Sequence, residues 1–156
     1  MNKMRYYFIG LLLACSTILQ AQSFVTVDNG RLKRDGKAYT FIGANYWYGA
    51  ILGSKGSGGD RKRLNRELDE LKRLGINNLR ILVGSDGQDD SKWKVKPVLQ
   101  TSPGVYNDTI LDGLDYLMQQ LERRKMVAVL YLNNAWEWSG GYGFYLENSG
   151  AGKAVQ

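Results

Sequence analysis

Apolar and polar positions change period several times along this chain, and each change marks an element. From Phe24 to Trp47 short alternating runs are separated by Asp28-Asn29-Gly30 and Asp35-Gly36, residues that tolerate positive φ. This predicts a small hairpin leading into a stronger strand, 39-YTFIGANY-46. The glycine-rich stretch 53-GSKGSGGD-60 reads as a loop whose last residue, Asp60, suits a helix N-cap. From Arg61 to Leu74 the period lengthens: Leu64, Leu68 and Leu71 share one stripe, charges fill the rest, and Gly75 supplies a C-terminal cap. The aliphatic run 76-INNLRILVG-84 then predicts a buried strand.

Residues 84–107 form a connection longer than most, of the kind that is usually functional or disordered. A second helix is expected from Asn107 or Asp108 to Arg124, with Ile110, Leu111, Leu114, Leu117, Met118 and Leu121 on its apolar face. The strand 126-MVAVLYL-132 follows directly. Repeated β-α-β units of this spacing imply an α/β fold with a parallel sheet and helices outside it.

The first residues fall outside this pattern. Lys3 and Arg5 precede the apolar run 6-YYFIGLLLA-14, which is too short for a spanning helix and predicts a secretory signal peptide over residues 1–21. Cleavage after Ala21 is favoured over lipid attachment at Cys15 within 12-LLAC-15. The expected product, residues 22–156, is secreted, periplasmic or held at the cell surface. It meets a membrane only if Cys15 is acylated.

Composition narrows the chemistry. With Lys3 and Arg5 removed from the 21 basic residues, 19 stand against 15 acidic ones, a net charge of +4. They cluster at 31-RLKRDGK-37, 61-RKR-63 and 122-ERRK-125, on expected turns and helix faces, without the aromatic interleaving of a nucleic-acid footprint. There is no histidine, and Cys15 is the only cysteine, so neither a zinc or redox-metal site nor a disulfide framework is expected. The run 49-GAILGSK-55 stands where a phosphate loop would, yet its glycines are too close together and no Ser or Thr follows Lys55. A nucleotide-binding reading rests on that stretch alone.

Two features remain that could carry chemistry. Arg80 interrupts an apolar strand: Leu79, Ile81 and Val83 share one face, which points Arg80 to the other with Leu82. Such a cation needs a carboxylate or polar partner, either as a structural ion pair or as support for an active-site carboxylate, and periodicity does not choose between them. All three strands also end alike. The segments 43-GANYWYG-49, 83-VGSDG-87 and 132-LNNAWEWSGG-141 pass from aliphatic residues into amides, aromatics and glycines, at the sheet edge where α/β proteins bind ligands. Trp47, Trp136 and Trp138 offer flat apolar faces, and Asn45, Asn133 and Asn134 offer donors and acceptors, the combination a sugar ring requires. Packing under a loop would account for one of the tryptophans and turn chemistry for one of the amides. Glu137 reads as a solvated loop residue.

These residues, 41-FIGANYWYG-49, 76-INNLRIL-82 and 129-VLYLNNAWEWSGG-141, in this order after a signal peptide, resemble the N-terminal part of glycoside hydrolase family 5 (clan A), in its β-mannanase-like branch. The resemblance spans about residues 24–145. It implies a (β/α)8 barrel, retaining hydrolysis of β-1,4-mannan by two glutamates, no cofactor and a polysaccharide partner. It implies that Arg80 supports the catalytic nucleophile, and that Asn45, Trp47, Asn133, Asn134, Trp136 and Trp138 bind substrate. Cellulase-like members carry a histidine near the third strand that this chain lacks, though a β-1,4-glucan substrate stays as an alternative. The family's acid/base glutamate follows an asparagine at the end of strand four and its nucleophile ends strand seven; the chain has no Asn-Glu dipeptide and reads as three such strands, so neither glutamate is expected in it. A whole barrel takes roughly 250 residues. The chain is therefore expected to be an incomplete barrel of about three β/α units, inactive alone. Apolar inner-face residues such as Leu82, Val129 and Tyr131 would then lack cover. A self-contained carbohydrate-binding module is the alternative.

Overall fold

The structure is a computed structural model, and it describes residues 24–87 and 93–153. The expected leader, with Cys15 and Ala21, lies outside the described residues. The chain divides into two compact units, residues 1–40 and 41–156.

In the first unit, β1 (Thr26–Asp28), β2 (Arg31–Arg34) and β3 (Lys37–Ala38) form an antiparallel meander. Its turns are the ones foreseen. Asn29 and Gly30, then Asp35 and Gly36, all have positive φ, the requirement of two-residue turns whose twist matches the strands. The hairpin is therefore one strand richer than expected.

The second unit holds the parallel sheet. Strand β4 (Gly43–Asn45) leads through α1 (Gly49–Gly53) and α2 (Arg61–Arg73) to β5 (Asn78–Leu82), and β5 through α3 (Asp108–Arg123) to β8 (Val127–Tyr131). Between β5 and α3 lies a small hairpin of β6 (Gln100–Ser102) and β7 (Val105–Tyr106). The sheet order is β4-β5-β8, both pairs parallel, with Asn45, Arg80 and Val129 in one row of the register. Strand β4 is shorter than expected, because beyond Asn45 the chain bends to bury Tyr46 in the core.

The helix ends follow local chemistry. Asp60 caps α2 by accepting from the Arg63 N–H at 2.8 Å, and Asn107 caps α3 by accepting from Thr109 N–H at 3.1 Å. Past α2, Gly75 takes φ +82° while Gly75 and Ile76 donate back to Lys72 and Leu71, a Schellman closure. Helix α1 had no counterpart in the sequence pattern. It is a single turn pressed against α3, where a side chain on Gly113 would strike the Ala50 carbonyl.

One face of the sheet carries the core. Leu64 and Leu68 of α2, Leu79 and Ile81 of β5, and Leu117 and Leu121 of α3 are fully buried together. The opposite face is uncovered toward β8, whose Val129 is 48% exposed, whereas Leu82 is buried, against expectation.

Candidate functional site

Where the three parallel strands end, the chain shapes an open groove of about 930 Å³. Strand β4 delivers Asn45 and, just beyond, Trp47; β5 delivers Arg80; β8 delivers Tyr131, followed by Asn133, Asn134 and Ala135. A 3₁₀ turn, Glu137–Ser139, turns the chain back and adds Trp136, Glu137 and Trp138 to the wall. All seven residues singled out in the sequence meet here. So does Trp93, from the long connection after β5, which places all four tryptophans of the chain on one groove.

The tryptophans are held differently. Trp47 and Trp138 meet edge to face, with centroids 4.7 Å apart and planes at 77°, and Trp47 also abuts Tyr48. This pair forms a fixed wall. Trp93 is 52% exposed and Trp136 77% exposed, so each presents apolar surface that protein does not cover. The amides divide as well. Asn134 Oδ1 accepts from the Trp136 N–H at 2.6 Å, a turn bond that sets the direction of the wall. Asn45 and Asn133 are exposed.

Arg80 has an aromatic partner. Its guanidinium stacks on the Tyr131 ring, 3.6 Å from the centroid, and no carboxylate among the described residues lies within 4 Å of it. A structural ion pair within the described residues, one of the two readings open in the sequence, is thus not formed; the aromatic face takes up the cation, and Arg80 lines the groove.

Two polar networks brace this wall from behind, and neither was legible in the sequence. Beyond β5, Asp86 is buried and its carboxylate accepts from Gln100 Nε2 at 3.0 Å and from the Tyr145 hydroxyl at 2.9 Å. Tyr145 belongs to a last helix, α4 (Gly141–Asn148). The Asp86 N–H donates to Ser139 O at 3.0 Å, and Val95 N–H to Trp138 O at 2.8 Å, so three loops are laced together. Gly140, at φ +99°, lies so close to the Asp86 backbone that a side chain there would overlap it. Burial, then the hydrogen bond to Asp86, pushes the Tyr145 hydroxyl up to about 12.

On the other side, Tyr46 and Tyr48 flank Trp47 and donate to Glu67 Oε2 at 2.8 and 3.1 Å, while Arg63 Nε donates to Glu67 Oε1 at 2.6 Å. Burial pulls the Glu67 carboxyl upward, but hydrogen bonds from Arg63, Tyr46 and Tyr48 outweigh it and hold it below the usual carboxylate range. Burial, followed by the bond to Glu67, raises both tyrosines. In sequence, Asp86 was one residue of the strand-end segment 83-VGSDG-87 and Glu67 one charge on the polar face of a helix. Each becomes a receptor of hydrogen bonds only once distant elements pack on it.

Comparison with known proteins agrees with this arrangement. Two curated relatives are mannan endo-1,4-beta-mannosidase 5 of Solanum lycopersicum, 28% identical over 83% of this chain, and putative mannan endo-1,4-beta-mannosidase 9 of Oryza sativa subsp. japonica, 29% identical over 88%. The matches cover 30% and 33% of those proteins, so the chain spans about a third of their length. Among solved structures, the glycoside hydrolase family 5 mannosidase of Rhizomucor miehei superposes with a TM-score of 0.79 and 40% identity, over 85% of this chain and 32% of that one. The endo-1,4-beta-mannanase of the same organism gives 0.63 and 27%, over 82% and 34%. The three β/α units are thus a part of the family's barrel and do not close one. A family model described as GH family 5 beta-mannosidase-like matches residues 22–155, and the chain belongs to that family.

Proposed function

We propose that this chain forms the part of a substrate groove, in an exported hydrolase resembling mannan endo-1,4-β-mannosidases, that grips β-1,4-mannan. The observation that carries the reading is the convergence of all four tryptophans, two of them uncovered, with exposed amides and Arg80 on one groove. Flat apolar faces stack on the C–H side of a sugar, and the amides and guanidinium meet its hydroxyls. A solved structure of a variant of the Rhizomucor miehei mannosidase holds mannosyl-fructose, which supports a saccharide as the ligand class.

Retaining hydrolysis needs two carboxyl groups about 5 Å apart, and Glu137 is the only carboxylate lining the groove among the described residues. The chain alone therefore holds sugar without cleaving it. Titration of the full chain with mannotetraose should change its tryptophan fluorescence more strongly than cellotetraose does, with no release of reducing ends. Equal or tighter binding of cellotetraose would transfer the reading to β-1,4-glucan, and no response to either sugar would overturn it. The export part rests on Lys3 and Arg5 ahead of residues 6–14. A reporter fused to residues 1–30 should cross the cytoplasmic membrane, and its retention in the cytoplasm would refute export.

A further inference from the structure

Three carboxylates among the described residues are withdrawn from the open surface: Glu67, Asp86 and Glu137. The first two are satisfied from within the protein. Glu67 accepts from Arg63, Tyr46 and Tyr48, and Asp86 from Gln100 and Tyr145. Glu137 differs: it is half-buried in the groove wall, and its carboxylate meets neither a hydrogen-bond donor nor a cation among the described residues. A partly desolvated carboxylate is costly unless donors reach it. The three-residue 3₁₀ turn that it opens is too short to supply a useful dipole.

Arg80 lines the same groove, and the two opposite charges do not pair with each other. A cationic ligand would meet Arg80, and an anionic one would meet Glu137. A neutral polyol suits both, because its oxygens accept from the guanidinium and its hydroxyls donate to the carboxylate. An ionised carboxylate is acceptor-only and takes two hydroxyl donors at once, through bonds roughly twice as strong as neutral ones. Glu137 lies between Trp136 and Trp138 in sequence and lines the same groove as both rings, within reach of a sugar held there.

We propose that Glu137 is a specificity-determining contact, receiving two adjacent hydroxyls of the mannosyl unit bound against the Trp136–Trp138 wall. This rests on the groove being a mannan site. A pair of adjacent hydroxyls is also where mannose and glucose differ, at carbon 2, so the contact bears on the choice between them.

The test is calorimetric titration of the full chain, and of its Glu137→Gln, Glu137→Ala and Trp136→Ala variants, with mannotetraose and cellotetraose. Glu137→Ala should bind mannotetraose about tenfold more weakly or worse, the worth of hydrogen bonds to a charged group. Glu137→Gln, which keeps one acceptor, should fall between, and the preference for mannotetraose should shrink in both. Should the alanine variant lose its far-UV circular dichroism, the nearly isosteric glutamine variant decides. If both Glu137 variants bind within twofold of the parent while Trp136→Ala loses affinity, the carboxylate contact is refuted and the groove stands. If the parent chain binds neither sugar, the groove reading and this proposal are refuted together.

Discussion

The two faces of the β4-β5-β8 sheet place side chains by different means. On the helix side, Leu79 and Ile81 are fully buried against Leu64, Leu68, Leu117 and Leu121, so shape and loss of water decide the positions. On the groove side, Arg80 lies between those two residues in sequence yet is exposed, held by the ring of Tyr131. The wall beyond it is set by hydrogen bonds to Asp86 and Glu67, and Trp136 stands almost clear of the protein. A sheet with one packed face can carry a second face whose residues are chosen for a ligand, because the packed one supplies most of the apolar burial. The consequence is a separation: changes on the helix side should move stability, and changes on the groove side should move binding.

The strongest challenge to that separation is Leu117→Ala. Truncating a fully buried leucine should lower the unfolding free energy by about 2–5 kcal/mol, a large part of the 5–15 kcal/mol typical of a small domain. Urea unfolding would measure it, and a loss below about 1 kcal/mol would show that the helix side is not the stabilising face. Asp86→Ala should come next, since it removes two hydrogen bonds to a buried charged acceptor, a loss of about 1–3 kcal/mol. It should also weaken the near-ultraviolet circular dichroism of the Trp47–Trp138 pair, because the carboxylate ties down the chain that follows Trp138 through Tyr145 of α4. Loss of stability with an unchanged tryptophan signal would detach Asp86 from the wall.

The titrating groups sharpen the comparison at its boundary. Glu67 is held below its ordinary 4.5, so the folded chain binds fewer protons there than the unfolded chain. Its contribution is complete above 4.5 and disappears as pH falls through the lowered folded value; Glu67→Gln should remove that part of the acid dependence in pH-resolved denaturation curves. Tyr145 has the opposite sign. Its raised value means a contribution complete below pH 10.0 and lost as pH climbs toward about 12. Absorbance at 295 nm should show late tyrosines, Tyr46 and Tyr48 among them, and Tyr145→Phe should remove the one near pH 12; an unchanged profile would exclude the bond to Asp86. Smallest of all in stability is Trp136→Ala, expected within about 0.5 kcal/mol of the parent, although it should weaken sugar binding. A larger stability loss would mean that the wall is part of the core.

What the sequence by itself determined is the set of features governed by near neighbours. The helix limits near 61–73 and 108–123, the caps at Asp60 and Asn107, the closure at Gly75 and the turns at Asn29-Gly30 and Asp35-Gly36 all depend on residues within one turn of each other. The strand ends with their amides and tryptophans were legible for a related reason, since an aliphatic run that stops in such residues has nothing left to bury. Tertiary structure decided everything that required two distant segments to meet. It brought Trp93 to the groove that Trp47 and Trp138 line, gave Arg80 an aromatic partner, and made Asp86, buried, and Glu67, half-buried, acceptors of bonds from distant elements. It also left Glu137 without a donor among the described residues, although in sequence it looked like any glutamate in a polar loop. A side chain's partner is chosen by the register of a parallel sheet and the path of its loops, and neither is encoded in the residues on either side of it.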